Sequence, residues 1–186
     1  MDNANITDNQ IVKKIIKEDK DAYSLIVERY QSRLYTYIFR LTNHREEATD
    51  ILQEVFLKAY KNIKGFNQKK KFSSWIYRIA HNESVNWLKK NTKVKKQSID
   101  DDENKIDIAD DLDLTQQLET DTEKEELVEK MHKLPSNYKE VLVLRYMEER
   151  SYEEIGEIVK KSTNAVGILI NRAKKRLAEI YDNSEI

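Results

Sequence analysis

A chain of 186 residues has room for one medium domain or two small ones, and this one carries only 3 glycines, 1 proline and no cysteine. Without cysteine there is no disulfide framework and no thiolate metal site, and so little Gly and Pro argues against strands joined by tight turns and for an all-α fold. The net charge of -1 conceals segregation. Residues 61–96 are strongly basic with Glu83 as the single acid, Asp100 to Glu129 is acidic, and Lys160 to Arg176 is basic with no acid. Two basic blocks around an acidic one point to two polyanion-facing surfaces on separate modules, although either block alone is as readily a solvated face. Met1 to Thr7 is polar and lacks a signal-peptide core, and no apolar run approaches the roughly 20 residues of a membrane span. A soluble, cytoplasmic protein is expected.

Taken in chain order, Thr7 or Asp8 can cap a first helix carrying Ile11, Val12, Ile15 and Ile16 on one side. Asp21 precedes a second helix whose apolar residues run from Ala22 to Leu41, and Asn43 ends it or caps the next. Ala48, Ile51, Leu52, Val55, Phe56, Ala59 and Ile63 recur by three and four, which predicts an amphipathic helix over 45–63. Gly65 is expected to stop it in the left-handed conformation. A fourth helix starts near Ser73 and carries Trp75, Ile76, Ile79, Ala80, Val85, Trp87 and Leu88; at that spacing at least one tryptophan belongs to a core. The stretch 97–121 is acidic and aperiodic and reads as a flexible linker. Its consecutive acids, Asp100 to Glu103, are read as solvated rather than as metal ligands.

A second module follows. Pro135 suits a first helical turn, and Tyr138, Val141, Leu142, Leu144 and Arg145 fall in the helix after it. Ser151 and Glu154 form an S-x-x-E capping box opening a short helix, and Ser162 can cap a last one from Thr163 to Tyr181. Those proportions are those of a helix-turn-helix, whose second helix places its N-terminal residues against base edges in the major groove. Here these are Lys161, Ser162, Thr163 and Asn164. Arg172, Lys174, Lys175 and Arg176 are placed for phosphates, which add affinity but little sequence reading.

Two segments carry a family resemblance. "LPSNYKEVLVLRYMEERSYEEIGEIVKKSTNAVGILINRAKKRL", Leu134 to Leu177, resembles sigma region four. "RLYTYIFRLTNHREEATDILQEVFLKAYKNIKGFNQKKKFSSWIYRIAHNESVNWLKK", Arg33 to Lys90, is similar to sigma region two of the extracytoplasmic-function (ECF) group. Their order and the short linker match that group of bacterial RNA polymerase sigma factors. The resemblance implies two helical domains joined by the acidic linker 97–121: 8–96, which docks on core polymerase and opens and reads the minus-ten element, and 122–182, which reads the minus-thirty-five element.

It also implies roles for particular residues. Asp50, Gln53, Glu54, Phe56 and Lys58 match the part that docks on the clamp helices of the polymerase, with Phe56 equally suited to the core. Leu142, Arg145 and Tyr146 fall in the helix that packs on the flap. Asn67, Lys69, Lys70, Lys71, Trp75, Tyr77, Arg78, Asn82 and Asn86 match the minus-ten segment. Aromatic rings there can stack on unpaired bases while lysines follow the backbone. Partners are thus core RNA polymerase, promoter DNA and an anti-sigma factor, with no membrane insertion, no cofactor and no metal.

One part departs from the family pattern. Lys160 occupies the turn where a glycine is common, and Gly167-Ile168-Leu169 replaces a polar or basic stretch in the recognition helix. Either the groove contact shifts toward Ser162 to Asn164, or this surface has an apolar partner. The rival function is a conventional helix-turn-helix regulator that never binds polymerase. An enzyme is disfavoured: His44, His81 and His132 are far apart, and no H-E-x-x-H, Walker or G-x-S-x-G motif is present.

Overall fold

The computed structural model describes residues 6–17, 19–91 and 121–182, and every regular element among them is helical. The acidic stretch expected as a linker lies, but for Asp121, outside the described residues. The chain divides into two compact units, with the boundary near the end of the fourth helix.

In the first unit, α1 (Asp8–Ile16) opens on a reciprocal capping box: the Thr7 hydroxyl accepts from the Gln10 N–H, and the Thr7 N–H donates to the Gln10 side chain at 2.8 Å. The Asp8 carboxylate accepts from the Arg29 guanidinium and the Tyr30 hydroxyl, tying α1 to α2 (Tyr23–Thr42). A 3-10 turn, Lys20–Ala22, capped by the Asp19 carboxylate accepting the Ala22 N–H, leads into α2, so that Asp21 precedes that helix as expected. Asn43 ends α2 in the left-handed conformation (φ 57°), where its short polar side chain is tolerated, and α3 (Arg45–Asn62) follows.

Gly65 does not stop α3 as expected. Among the described residues no glycine has positive φ; the chain instead tightens into a 3-10 turn, Ile63–Gly65, closed by the Phe66 N–H on the Ile63 carbonyl at 3.1 Å. Phe66 then extends and is buried, so no left-handed cap is needed. α4 (Phe72–Asn91) completes the unit. Its core is formed by Ile26, Leu34, Tyr37, Ile38 and Leu41 of α2, Ala48, Val55 and Ala59 of α3, and Phe72, Ile76, Tyr77 and Ala80 of α4.

The second unit comprises α5 (Asp121–Met131), α6 (Ser136–Leu142), α7 (Tyr152–Val159) and α8 (Thr163–Asp182). Pro135 stands at the N-cap, one residue ahead of the first turn, where its missing N–H is harmless. After α6 the backbone widens into a π-type turn, Val143–Met147, with the Glu148 N–H on the Val143 carbonyl. The Ser151/Glu154 box forms in both directions, at 3.2 and 3.0 Å. Lys160, left-handed at φ 57°, turns the chain toward α8.

α6 is buried along nearly its whole length, charged residues included: Lys139 is 7% exposed and Glu140 5%. The Lys139 Nζ lies 3.3 Å from His132 Nδ1, and burial pulls the ammonium pKa down to about 8. The folded state therefore releases this proton before the unfolded chain does, at about 10.4. Between those values the unfolded chain binds more protons, so stability rises with pH across that window. Urea unfolding of the second unit is expected to shift to higher midpoint between about pH 7.5 and about pH 9.5. Lys139→Met removes that rise; a rise of equal size in the variant would contradict the assignment.

Candidate functional site

Three surfaces carry the residues singled out from sequence. The first lies at the α3–α4 corner. Asn67 accepts the Lys69 N–H on its side-chain oxygen at 3.0 Å, and its carbonyl accepts the Lys70 N–H at 2.9 Å. This closed turn presents Lys69, Lys70 and Lys71, all exposed. Beside it, Lys58, Asn62, Gly65, Trp75, Arg78, Ile79, Asn82 and Glu83 line a shallow recess of about 420 Å³. Trp75 forms one wall, half-buried, its ring against Phe66 at 5.3 Å and Phe72 at 5.4 Å. Arg78 and Asn82 lie one and two turns further along α4, and Asn86, also exposed, one turn beyond the recess.

Tyr77 is a correction. It is 0% exposed, its ring packed on Tyr37 at 5.2 Å, because α4 turns the Phe72/Ile76/Ala80 face inward and Tyr77 belongs to it. It cannot meet a base. Trp87 also has a structural partner: its indole N–H donates to Glu47 at 2.7 Å, tying α4 to α3.

The second surface is the outer face of α3. Asp50, Gln53 and Glu54 are exposed along it, and Phe56 is half-buried. Lys58 sits at the edge of this face and reaches the other way. Its ammonium pairs with Glu83 at 2.6 Å, which raises its pKa more than the weaker pair with Glu54 at 3.5 Å does. Sequence reading missed two neighbours. Leu57 is 52% exposed and Tyr60 40%, and with Gln53, Phe56, Tyr23 and Val27 they line an open groove of about 730 Å³ between α2 and α3. Leu57 stands outside the three-and-four spacing of α3, and that off-stripe leucine was the available signal. Tyr23 fixes the groove wall, its hydroxyl donating to the Phe56 carbonyl at 2.6 Å and its ring edge-on to Tyr60 at 4.9 Å; burial raises its pKa well above the usual range.

The third surface is the α7–α8 pair. Lys161, Ser162, Thr163 and Asn164 are exposed where α8 begins, and the Ser162 hydroxyl caps the helix by accepting the Ala165 N–H at 3.2 Å. Gly156 makes the tight turn possible: a Cβ there would stand 2.6 Å from the Lys161 carbonyl oxygen, so no side chain fits. Gly167 has no such constraint, its nearest neighbour being the Tyr152 ring at 3.6 Å from a notional Cβ. Lys175 and Arg176 are exposed, Arg172 and Lys174 half-buried, and Arg176 pairs with Glu179.

Leu142 is the other correction. It is 0% exposed, because Val141, Val143 and Leu144 around it are buried as well and this stretch has no free apolar face. Arg145 and Tyr146 are half-buried, and the Arg145 guanidinium already donates to the Arg150 carbonyl at 3.1 Å and lies over the Tyr152 ring. No helix among the described residues is long and apolar enough to cross a membrane.

Comparison with known proteins follows the same division. Residues 26–94 match the family Sigma-70 region 2, and residues 124–177 match Sigma-70, region 4. The ECF RNA polymerase sigma factor SigW of Bacillus subtilis is 33% identical over 181 residues, covering 89% of this chain and 92% of its own. The chain belongs to the ECF sigma factors of the sigma-70 family. Two solved structures share the fold of this sigma factor. CnrH, solved in complex with the cytosolic domain of CnrY, superposes with a TM-score of 0.70 at 18% identity over 95% of this chain and 97% of its own. The sigma factor RpoE from Bartonella quintana, solved with the anti-sigma factor NepR, gives 0.63 at 17% identity over 86% of this chain and 96% of its own.

Proposed function

We propose that this sigma factor binds core RNA polymerase through the outer face of α3, opens the minus-ten element at the α3–α4 corner and reads the minus-thirty-five element with α8. The observation that carries the reading is the presence of regions two and four in one chain, each with a surface suited to its task. On α3, Asp50, Gln53 and Glu54 offer polar contacts beside the apolar Leu57/Tyr60 groove, a combination of anchor and rim that suits a protein partner. Leu57 and Tyr60 join the docking set; Lys58, held by Glu83, serves the wall of the recess instead.

At the corner, Lys69, Lys70 and Lys71 follow the backbone of the opened strand, Arg78 and Asn82 supply polar contacts within the recess, and Asn86 supplies one beyond it. Trp75 offers its exposed edge to an unstacked base while its other side stays in the aromatic cluster. Lys161, Ser162, Thr163 and Asn164 approach base edges in duplex DNA, with Arg172, Lys174, Lys175 and Arg176 toward phosphates. The protein acts by binding in the cytoplasm, without catalysis of its own. An anti-sigma factor controls it, as the complex of RpoE with NepR suggests.

Reconstituted transcription tests this. Purified protein with bacterial core polymerase on a fragmented genomic library is expected to give specific transcript starts sharing two spaced upstream elements, absent with core alone. Tight, sequence-specific duplex binding by the protein alone, with no affinity for core, would instead establish a conventional regulator.

A further inference from the structure

The apolar replacement in the recognition helix has a definite position. Val166, Ile170, Ala173 and Leu177 of α8 are buried and fix which side faces the unit's core. Each residue advances about 100° round a helix. Asn164, Ile168, Asn171 and Lys175 therefore form one strip on the opposite side, about 140–200° from Val166. Leu169 falls at about 300°, against the edge of the core, and needs no other partner. Ile168, half-buried, is the one aliphatic side chain in this polar and basic strip, which leads away from the helix-turn-helix turn.

We propose that Ile168 is a specificity-determining residue of this protein, packing on the C5-methyl group of a thymine in the major groove of the minus-thirty-five element, next to an adenine read by Asn164. This rests on the sigma reading above. The chemistry fits on both counts: an aliphatic group in the groove finds its one apolar feature in the thymine methyl, and an Asn amide pairs in bidentate fashion with adenine. Asn164 and Ile168 are four residues apart, about 6 Å along the helix, so they reach base pairs one or two steps apart. The β-branch holds the isoleucine near one rotamer, so little freedom is lost on contact. The basic side chains Arg172 and Lys175, on or beside the strip, favour a polyanion over an apolar protein surface as occupant.

The test uses the holoenzyme on a promoter mapped by its own transcript starts, with each thymine of the upstream element replaced singly by deoxyuridine, which removes only the methyl. One position is expected to weaken wild-type binding roughly fourfold, the value of burying one methyl group. Ile168→Ala is expected to lose a comparable factor on the thymine promoter and to be indifferent to uracil at that position, while Ile168→Val keeps most of the sensitivity. Lys175→Ala weakens every duplex without altering the uracil pattern. Uracil without effect at any position, or unchanged uracil sensitivity in Ile168→Ala, would overturn the proposal while leaving the sigma reading intact. Ile168→Ala that transcribes normally but binds core less tightly overturns it in favour of a protein partner. Wild-type protein giving no specific starts would sink the sigma reading itself and this inference with it. The uracil scan on wild type needs no variant and can overturn the proposal by itself, and Ile168→Val, which keeps the fold, assigns a positive position to Ile168 by a reduced uracil effect even if Ile168→Ala impairs folding.

Discussion

Tyr77→Ala is expected to destabilise the first unit by about 3–5 kcal/mol, the range for emptying a buried aromatic site. Tyr77 is fully buried on α4, and the ring it packs on, Tyr37 of α2, is fully buried too, so truncation leaves a cavity between two helices that no surface chain can refill. Small domains have only about 5–15 kcal/mol in total. A loss of this size moves the unit to the edge of folding at ordinary temperature. The readout is available without labels, because both tryptophans, Trp75 and Trp87, lie on α4. Their fluorescence in a urea titration reports the first unit alone. Tyr77→Phe keeps the ring and its packing on Tyr37, and is expected to cost less than about 1.5 kcal/mol, as near-isosteric core changes do. If Tyr77 contacted promoter DNA instead, the alanine variant would unfold like wild type and fail only in strand opening. That result would sink the core assignment.

Tyr77 also marks what a sequence can and cannot disclose. The helices, their order and most caps are local properties: Thr7 before Ile11 and Val12, Asn43 after Leu41, and Ser151 with Glu154 are each readable within one turn of chain. Which side of α4 is covered is not local. Aromatic and aliphatic residues lie almost all round it, and only the packing of α2 and α3 decides that Ile76 and Tyr77 go inside while Trp75 keeps one edge out. The same limit explains Leu142, assigned to a partner surface by resemblance and enclosed by its neighbours. Gly65 failed for another reason: glycine permits the left-handed region but does not require it, and the backbone closed a 3-10 turn instead. On α3 the polar residues were legible because they lie opposite the apolar stripe, whereas the groove formed by Leu57 and Tyr60 was signalled only by one leucine falling off that stripe. Exposure of an apolar side chain is a tertiary fact.

The largest functional effect is expected from reversing three charges at once. Lys69→Glu, Lys70→Glu and Lys71→Glu together should leave folding and polymerase binding unchanged yet lower open-complex formation by roughly two orders of magnitude, about 1 kcal/mol for each lysine–phosphate interaction removed. All three side chains are exposed on a turn whose shape is held by Asn67, so the substitutions do not touch the core. Salt dependence separates a DNA contact from a general charge effect. Each phosphate neutralised on single-stranded DNA contributes about 0.7 to the slope of log affinity against log salt, so the triple variant should show a slope shallower by about 2. A triple reversal at Lys13, Lys14 and Lys17, exposed on α1 and at its C-terminal end, changes net charge equally and should alter neither quantity. Equal losses in the two variants would mean that only the overall charge matters; a loss confined to the corner, with the shallower slope, requires the opened strand to run past Lys69 to Lys71. Asn67→Ala then asks whether presentation matters as well as charge. The three lysines remain, but the side-chain hydrogen bond that closes their turn is gone, and an intermediate loss with an unchanged salt slope is the outcome that a preformed turn demands.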